Sequence, residues 1–245
     1  YNIGLVVQFG QPVTKTYLTI SGDTPKAYCV KVPVGMKIAE VLKVMNVTVP
    51  DTHVVIDGGP SMGPIVNLAT DVVKKPCSGL LILPKTIPAV RNKLRTMEEN
   101  FRRAASVCCQ CSMCTQMCPR NAMGLNVQPH KAMRALASGN VELMQDNGVF
   151  SCCDCGICTY FACNFGLKPS VAMQQAKAAL AAKGIRPQKE VKYDADTGFE
   201  NKKLPTERML LRLDIKQFDG DAPLAGDIVC NAVRIPMKMH IGAPN

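Results

Sequence analysis

"VCCQCSMCTQMCPRNAMG", residues 107–124, places five cysteines within eleven positions and a proline directly after the last. "SCCDCGICTYFACNFG", residues 151–166, is a second such crowd. In the first, Cys108, Cys111, Cys114 and Cys118 follow C-x2-C-x2-C-x3-C-P, a run that suits ligation of a four-iron cube. Two-residue gaps wrap the backbone around one face of the cube, so three thiolates can reach three irons. The fourth cysteine sits on a segment that has turned away. In two-cluster chains it serves the other cluster. Pro119 ends the turn and fixes the backbone there.

Cys152, Cys155, Cys158 and Cys163 repeat the pattern with one extra residue in the last gap, and Asn164 stands where the proline would be. The departure concerns the placement of Cys163, not the triplet before it. The crossover rule assigns Cys108, Cys111, Cys114 and Cys163 to cluster one. It assigns Cys152, Cys155, Cys158 and Cys118 to cluster two. Zinc would pair two CxxC hairpins and has no use for a third cysteine two residues on. A disulfide framework spreads its cysteines through a small secreted chain. Thirteen cysteines, ten of them in these two runs, fit metal ligation in a reducing compartment instead. Cys29, Cys77, Cys109, Cys153 and Cys230 remain. Cys109 and Cys153 adjoin first ligands, as spare ligands or neighbours of the sulfurs. The ordinary expectation for all five is a small buried side chain.

The 245 residues suffice for one large domain or two to three small ones, and 47% apolar content allows a packed core. Net charge is +10, with no Trp and only 5 Tyr and 7 Phe, which disfavours base-stacking functions. The charge is met by solvent, by thiolate-bound clusters or by an anionic partner. No apolar run approaches the ~20 residues of a membrane span. The start, "YNIGLVVQFG", has no basic n-region, cleavage site or initiator Met, and is expected to continue a longer chain.

The expected fold class is α+β in four segments. Residues 1–10 end an upstream domain. Residues 11–86 form a small β-grasp unit, with strands at 15–22, 27–33, 53–59 and 78–84 and a helix at 37–46, where Ile38, Val41, Leu42 and Met45 have helical spacing. Residues 87–184 form a helical two-cluster, ferredoxin-like domain. One charged helix (89–105) leads into the first run, and helices at 129–139 and 169–184 follow the two runs, an internal near-repeat. Residues 185–245 are a polar linker and the start of a partial β module, with strands at 208–216 and 232–239.

Other candidates carry less. "DGGPSMGP" (57–64) lacks the G-K-[ST] ending of a phosphate loop and reads as a tight turn. No G-x-G-x-x-G occurs. His53, in "DTHVVIDGG", has Ile56 where a corrin-binding motif needs glycine and reads as a strand residue. His130 and His240 have no catalytic partner at readable spacing. No catalytic residue is assigned. The methionines around the first run read as apolar shielding rather than copper ligands. Arg91, Lys93, Arg95, Arg102, Arg103 and Arg120 either guide an acidic redox partner or form a solvated face. A redox-silent cluster propping up a nucleic-acid-binding fold would require salt-dependent binding; two ferredoxin-like runs argue against it.

Together, "VVIDGGPSMGPIV", "VVKKPCSGLLILPK", the charged helix and the two runs resemble the RnfC-like family, in which a soluble-ligand-binding β-grasp (SLBB) domain precedes a two-cluster domain. "RIPMKMHIGAP" adds similarity to the branch of cobalamin reductases of propanediol-utilisation microcompartments. The resemblance implies two [4Fe–4S] clusters here, and FMN and NADH in the parent protein. It implies electron transfer that reduces cob(III)alamin toward cob(I)alamin, a cobalamin adenosyltransferase and shell or lumen proteins as partners, and a cytoplasmic location inside a microcompartment. The alternative within the family is a protein linking NADH to ferredoxin or quinone.

Overall fold

The structure is a computed structural model that describes residues 2–187, 206–218, 227–230 and 233–236. It divides into two compact units, residues 1–86 with 217–245, and residues 87–216. The expected linker falls mostly at 188–205, and His240 at the end of the chain; both lie outside the described residues.

In the first unit, helix α1 (Asn2–Phe9) has no buried residue. Strands β1 (Lys15–Gly22) and β2 (Tyr28–Pro33) form an antiparallel hairpin. Alternation puts Leu18, Ile20, Val30 and Val32 on one buried face. Helix α2 (Ile38–Val44) lays Ile38, Val41 and Leu42 into the same core at helical spacing. Strand β3 (His53–Asp57) pairs antiparallel with β4 (Gly79–Pro84), and β4 runs parallel to β1. Two further strands, β5 (Asp227–Cys230) and β6 (Val233–Pro236), extend the sheet through a parallel β2–β5 pairing, in the order β3-β4-β1-β2-β5-β6. Four strands thus come from residues 15–84. The glycine-rich 57–64 stretch is a turn: Gly63 N–H donates to Gly59 O, and a Cβ on Gly63 would sit 2.5 Å from Asp57 O. His53 bonds Asp23 Oδ2 (2.7 Å) and Thr52 Oγ1 (2.9 Å), as a surface tie rather than a ligand.

The second unit is helical. The single helix expected over 89–105 is two, α3 (Pro88–Leu94) and α4 (Met97–Val107). Arg95 and Thr96 are extended, and Thr96 Oγ1 accepts from Glu99 N–H at 3.3 Å. That is the capping geometry of T-x-x-E, which restarts a helix where a smooth charge pattern suggests continuity. Short helices α5 (Met113–Gln116) and α6 (Pro119–Ala122) lie within and after the first run. Helices α7 (Pro129–Ala137), α8 (Val141–Asp146) and α9 (Pro169–Ala182) follow. The helices after the two cysteine runs, α7 and α9, both start with Pro and pack against each other. Residues 208–216 do not form the expected strand: α10 spans Thr206–Leu213. Met209 and Leu210 are half-buried and Leu213 fully buried, a face with helical rather than twofold spacing. Among the described residues no helix is long and apolar enough to cross a membrane.

Candidate metal centre

All ten cysteines of the two runs lie in the second unit, and none is in a disulfide. The two runs share a backbone device. Gln110 (φ 57°) and Ser112 (φ 58°) in the first occupy the left-handed region, as Asp154 (φ 57°) and Gly156 (φ 78°) do at the matching places in the second. For a non-glycine residue that conformation costs about 1 kcal/mol or more, and such strain collects where a site demands it. Here it coils each C-x2-C-x2-C segment so that its first, fourth and seventh residues share one side. Gln110 Nε2 donates to Cys108 Sγ at 3.1 Å, and Asp154 N–H to Cys152 Sγ at 3.4 Å. Lys177 of α9 anchors the second loop, bonding Cys152 O (2.6 Å) and Asp154 Oδ2 (2.9 Å).

The extra residue before Cys163 has a structural form. Cys158–Ala162 is a π-helical turn, whereas the matching part of the first run is the α-helical α5. A π turn absorbs one inserted residue without breaking the helix.

Electrostatics show which thiols face one another. Burial pushes Cys114 up to about 12, and Cys163, Cys108 and Cys111 add to the rise in that order. Cys163 is raised by burial and by Cys108 and Cys111, while backbone N–H groups of Leu167 and Phe165 oppose the shift. Cys158, buried, is raised by its burial, then by Cys152, Cys114, Cys155 and Cys118. Cys155 is raised by burial and by Cys153 and Cys118. Cys152 is pushed up to about 12, chiefly by burial. Cys163 therefore stands with Cys108, Cys111 and Cys114, and Cys118 with Cys155 and Cys158. Cys114 and Cys158 also bring the two groups next to each other. Buried thiols that raise one another are protonated at neutral pH unless positive charge replaces the protons.

Among the described residues, no three Cys, His, Asp or Glu side chains close around one point as the shell of a single ion. Zinc thiolates, about 2.3 Å from the metal, would stand ~3.8 Å apart; the corners of a four-iron cube stand wider.

Cys109 and Cys153 are exposed, not buried as expected. Each precedes a left-handed residue, and Cys153, though exposed, still stands beside Cys155 and Cys118 and raises both. Cys77 is buried and Cys29 half-buried; the side chain of Cys230 lies outside the described residues. His130 is buried, bonded through Nδ1 to Thr115 Oγ1 at 2.7 Å. Three of the six basic residues read either as a partner surface or as a solvated face have structural partners instead, Lys93 Nζ lying 5.0 Å from the centre of the Tyr160 ring. Arg95 Nη1 donates to Gly166 O (2.7 Å) and Arg103 Nη2 to Phe165 O (3.1 Å). Nothing in the spacing along the chain connects them with a loop 71 and 62 positions away.

Residues 107–168, which carry both groups, match the 4Fe-4S dicluster domain family. That defines the class of chemistry as iron–sulfur electron transfer. Over 99% of its length the chain is 30% identical to the cobalamin reductase PduS of Salmonella typhimurium, and 29% identical to that of Citrobacter freundii. A shorter match, 28% identity over 51% of this chain and 27% of the relative, joins it to a component of the Na(+)-translocating ferredoxin:NAD(+) oxidoreductase complex of Acetobacterium woodii. The resemblance to the cobalamin reductases and to RnfC-like proteins is thereby borne out. The chain spans 54% of the length of the two cobalamin reductases.

Proposed function

We propose that this chain is the electron-relay part of a cobalamin reductase, with one [4Fe–4S] cluster held by Cys108, Cys111, Cys114 and Cys163 and another by Cys152, Cys155, Cys158 and Cys118. The observation that carries the reading is the exchange of last cysteines: Cys163 stands with the first run, and Cys118 with the second. The donor set fits the group, since Cys114, Cys118, Cys152, Cys155, Cys158 and Cys163 are all raised by burial, and thiols gathered in that state call for a cationic centre. Each cluster would supply a one-electron site there. The chain's own residues do the rest. Gln110 and Asp154 N–H donate to ligand sulfur, which favours the reduced state. The buried Cys118 and Cys158 lie where solvent is excluded, and the adjacency of Cys114 and Cys158 shortens the path between the two sites.

In the same reading residues 11–86 are the β-grasp, SLBB-like domain of the four-segment organisation outlined above. The parent oxidoreductase would take hydride from NADH onto FMN and release electrons singly through this chain to a corrinoid, feeding an adenosyltransferase inside a microcompartment. The names of the two reductases support the corrinoid. The similarity to part of a ferredoxin:NAD(+) oxidoreductase complex supports ferredoxin as the second acceptor class to assay.

Iron, sulfide and electron paramagnetic resonance on anaerobically purified chain test the assignment. About eight irons are expected, two sets of four. Cys163→Ala should lose about four and spare the second cluster; Cys118→Ala should do the reverse. Zinc in place of iron, or Cys163→Ala and Cys155→Ala removing the same cluster, would overturn the reading.

A further inference from the structure

The second run lacks the proline that stiffens the chain after a fourth cysteine, yet the segment after Cys163 is held at every residue but one. Asn164 Oδ1 accepts from Arg212 Nη2 of α10 at 2.7 Å. Phe165 O accepts from Arg103 (3.1 Å), and Gly166 O from Arg95 (2.7 Å). Lys168 N–H donates to Asn100 Oδ1 of α4 at 2.9 Å. Lys168 Nζ reaches back to the carbonyls of Arg95 (2.5 Å) and Lys93 (3.3 Å), where α3 ends. Leu167, between these, is buried. The break between α3 and α4 thus receives Lys168, and the two helices grip the loop.

The clamp is strongly positive. Among the described residues, Arg95, Arg103, Lys168 and Arg212 face a single carboxylate partner, Glu99, 3.1 Å from Arg95. Crowding shows in Lys93, lowered to about 8 by burial and then by Lys168. The other group has Lys177 and Arg120 against Asp154. Two donors of the clamp helix, Asn100 Nδ2 and Arg103 Nε, are buried without an acceptor among the described residues.

We propose that this clamp of Arg95, Arg103, Lys168 and Arg212 takes the place of the missing proline in positioning Cys163, and makes cluster one the more readily reduced of the two. The proposal rests on the two-cluster reading above. Each reduction adds one electron from a mediator, with no bond made or broken; the added negative charge is favoured where the surrounding side chains carry the larger net positive charge, four cations against one carboxylate at the clamp and two against one at the other group. A solvent-sized cavity of about 380 Å³, lined by Cys163, Arg95 and Arg212, screens them in part. The expected effect of removing one cation is therefore roughly a tenfold loss of electron affinity, about 59 mV for a one-electron couple.

Potentiometric titration followed by electron paramagnetic resonance tests this on anaerobic wild-type chain, Arg95→Gln, Arg103→Gln and Arg95→Lys. Cys114→Ala, which should keep only the second cluster, assigns the steps. The expected result is that the higher-potential step belongs to cluster one. It should shift down by about 59 mV in each Gln variant, a tenfold loss of electron affinity, move less in Arg95→Lys, and leave the other step in place. Loss of about four irons with the second cluster's signal retained would equally support the positioning role. Arg103→Gln removes a single bond and covers the case in which Arg95→Gln does not fold. A higher step belonging to cluster two, or steps that move together or not at all, with eight irons present, overturns the clamp alone. A wild-type chain without iron overturns the clamp and the relay reading together.

Discussion

Gly148 and Gly139 have the same backbone conformation, φ +68°, and opposite surroundings. Gly148 precedes Val149–Ser151 and the first cysteine of the second run. A Cβ built there lies 2.0 Å from Asn126 O, 2.7 Å from Asn126 C and 3.1 Å from Val127 Cα. A Cβ on Gly139 meets nothing within 4 Å. Alanine at either position carries the left-handed penalty of about 1–2 kcal/mol. At Gly148 the backbone must also part by about 1 Å to reach the shortest contact real Cβ atoms make. The 126–128 segment cannot yield freely, because Gln128 N–H donates to Asn147 O (3.1 Å) and Asn126 Nδ2 to Asp146 O (2.7 Å). Overpacking adds about 1–3 kcal/mol. One broken hydrogen bond adds about 1 kcal/mol. Gly148→Ala should therefore lose about 3–6 kcal/mol and Gly139→Ala about 1–2. The gap corresponds to roughly 4–16 °C in Tm for a chain of this size. Anaerobic urea and thermal unfolding of both variants, followed by circular dichroism and cluster absorbance, measures it. Equal losses in the two variants would refute the close-contact argument, since conformation alone would then set the cost.

Lys177→Met should cost about 1–2 kcal/mol, discounted for partial exposure, and lower occupancy of the second cluster selectively. Lys177→Arg should recover part of it; equal iron loss from both clusters would count against the anchoring role. In iron-loaded chain, iodoacetamide should label Cys109 and Cys153 first. Cys111 is also exposed, but should stay protected as a ligand. Early labelling of Cys111 in peptide mass spectra would remove it from the ligand set. His130 has its pKa lowered by burial and by Lys131, so the unfolded chain takes up a proton near pH 6.5 before the folded one does. The associated stability is complete above that pH and is lost as pH falls toward the folded value. The urea midpoint of wild type should drop between pH 7.5 and 5.5 more than that of His130→Gln; parallel curves would show that His130 is not the group.

Part of the candidate site was legible because its information is local. Gaps of two residues between cysteines state a ligand coil directly, and Pro129 and Pro169 mark the helices that follow. Alternating Leu18, Ile20, Val30 and Val32 likewise state a one-sided hairpin. The helix break at Thr96 was local too, but its T-x-x-E cap was outweighed by an unbroken charge pattern. In α10 a run of leucines offered both periods, and packing of Leu213 selected the helical one.

What the sequence determined by itself is the thiol inventory, its coil-forming spacing, the four strands of residues 15–84 with the helix among them, and the helices that follow the two runs, all set by side chains within a few positions of one another. Only the tertiary structure decided which sulfurs stand together, that Cys109 and Cys153 are exposed, and that a π turn takes up the extra residue. Tertiary structure also brought β5 beside β2 across nearly two hundred residues, and Arg95 to Gly166 across seventy-one. Such contacts depend on where packed elements leave a carbonyl or an edge unpaired, and no spacing along the chain encodes that.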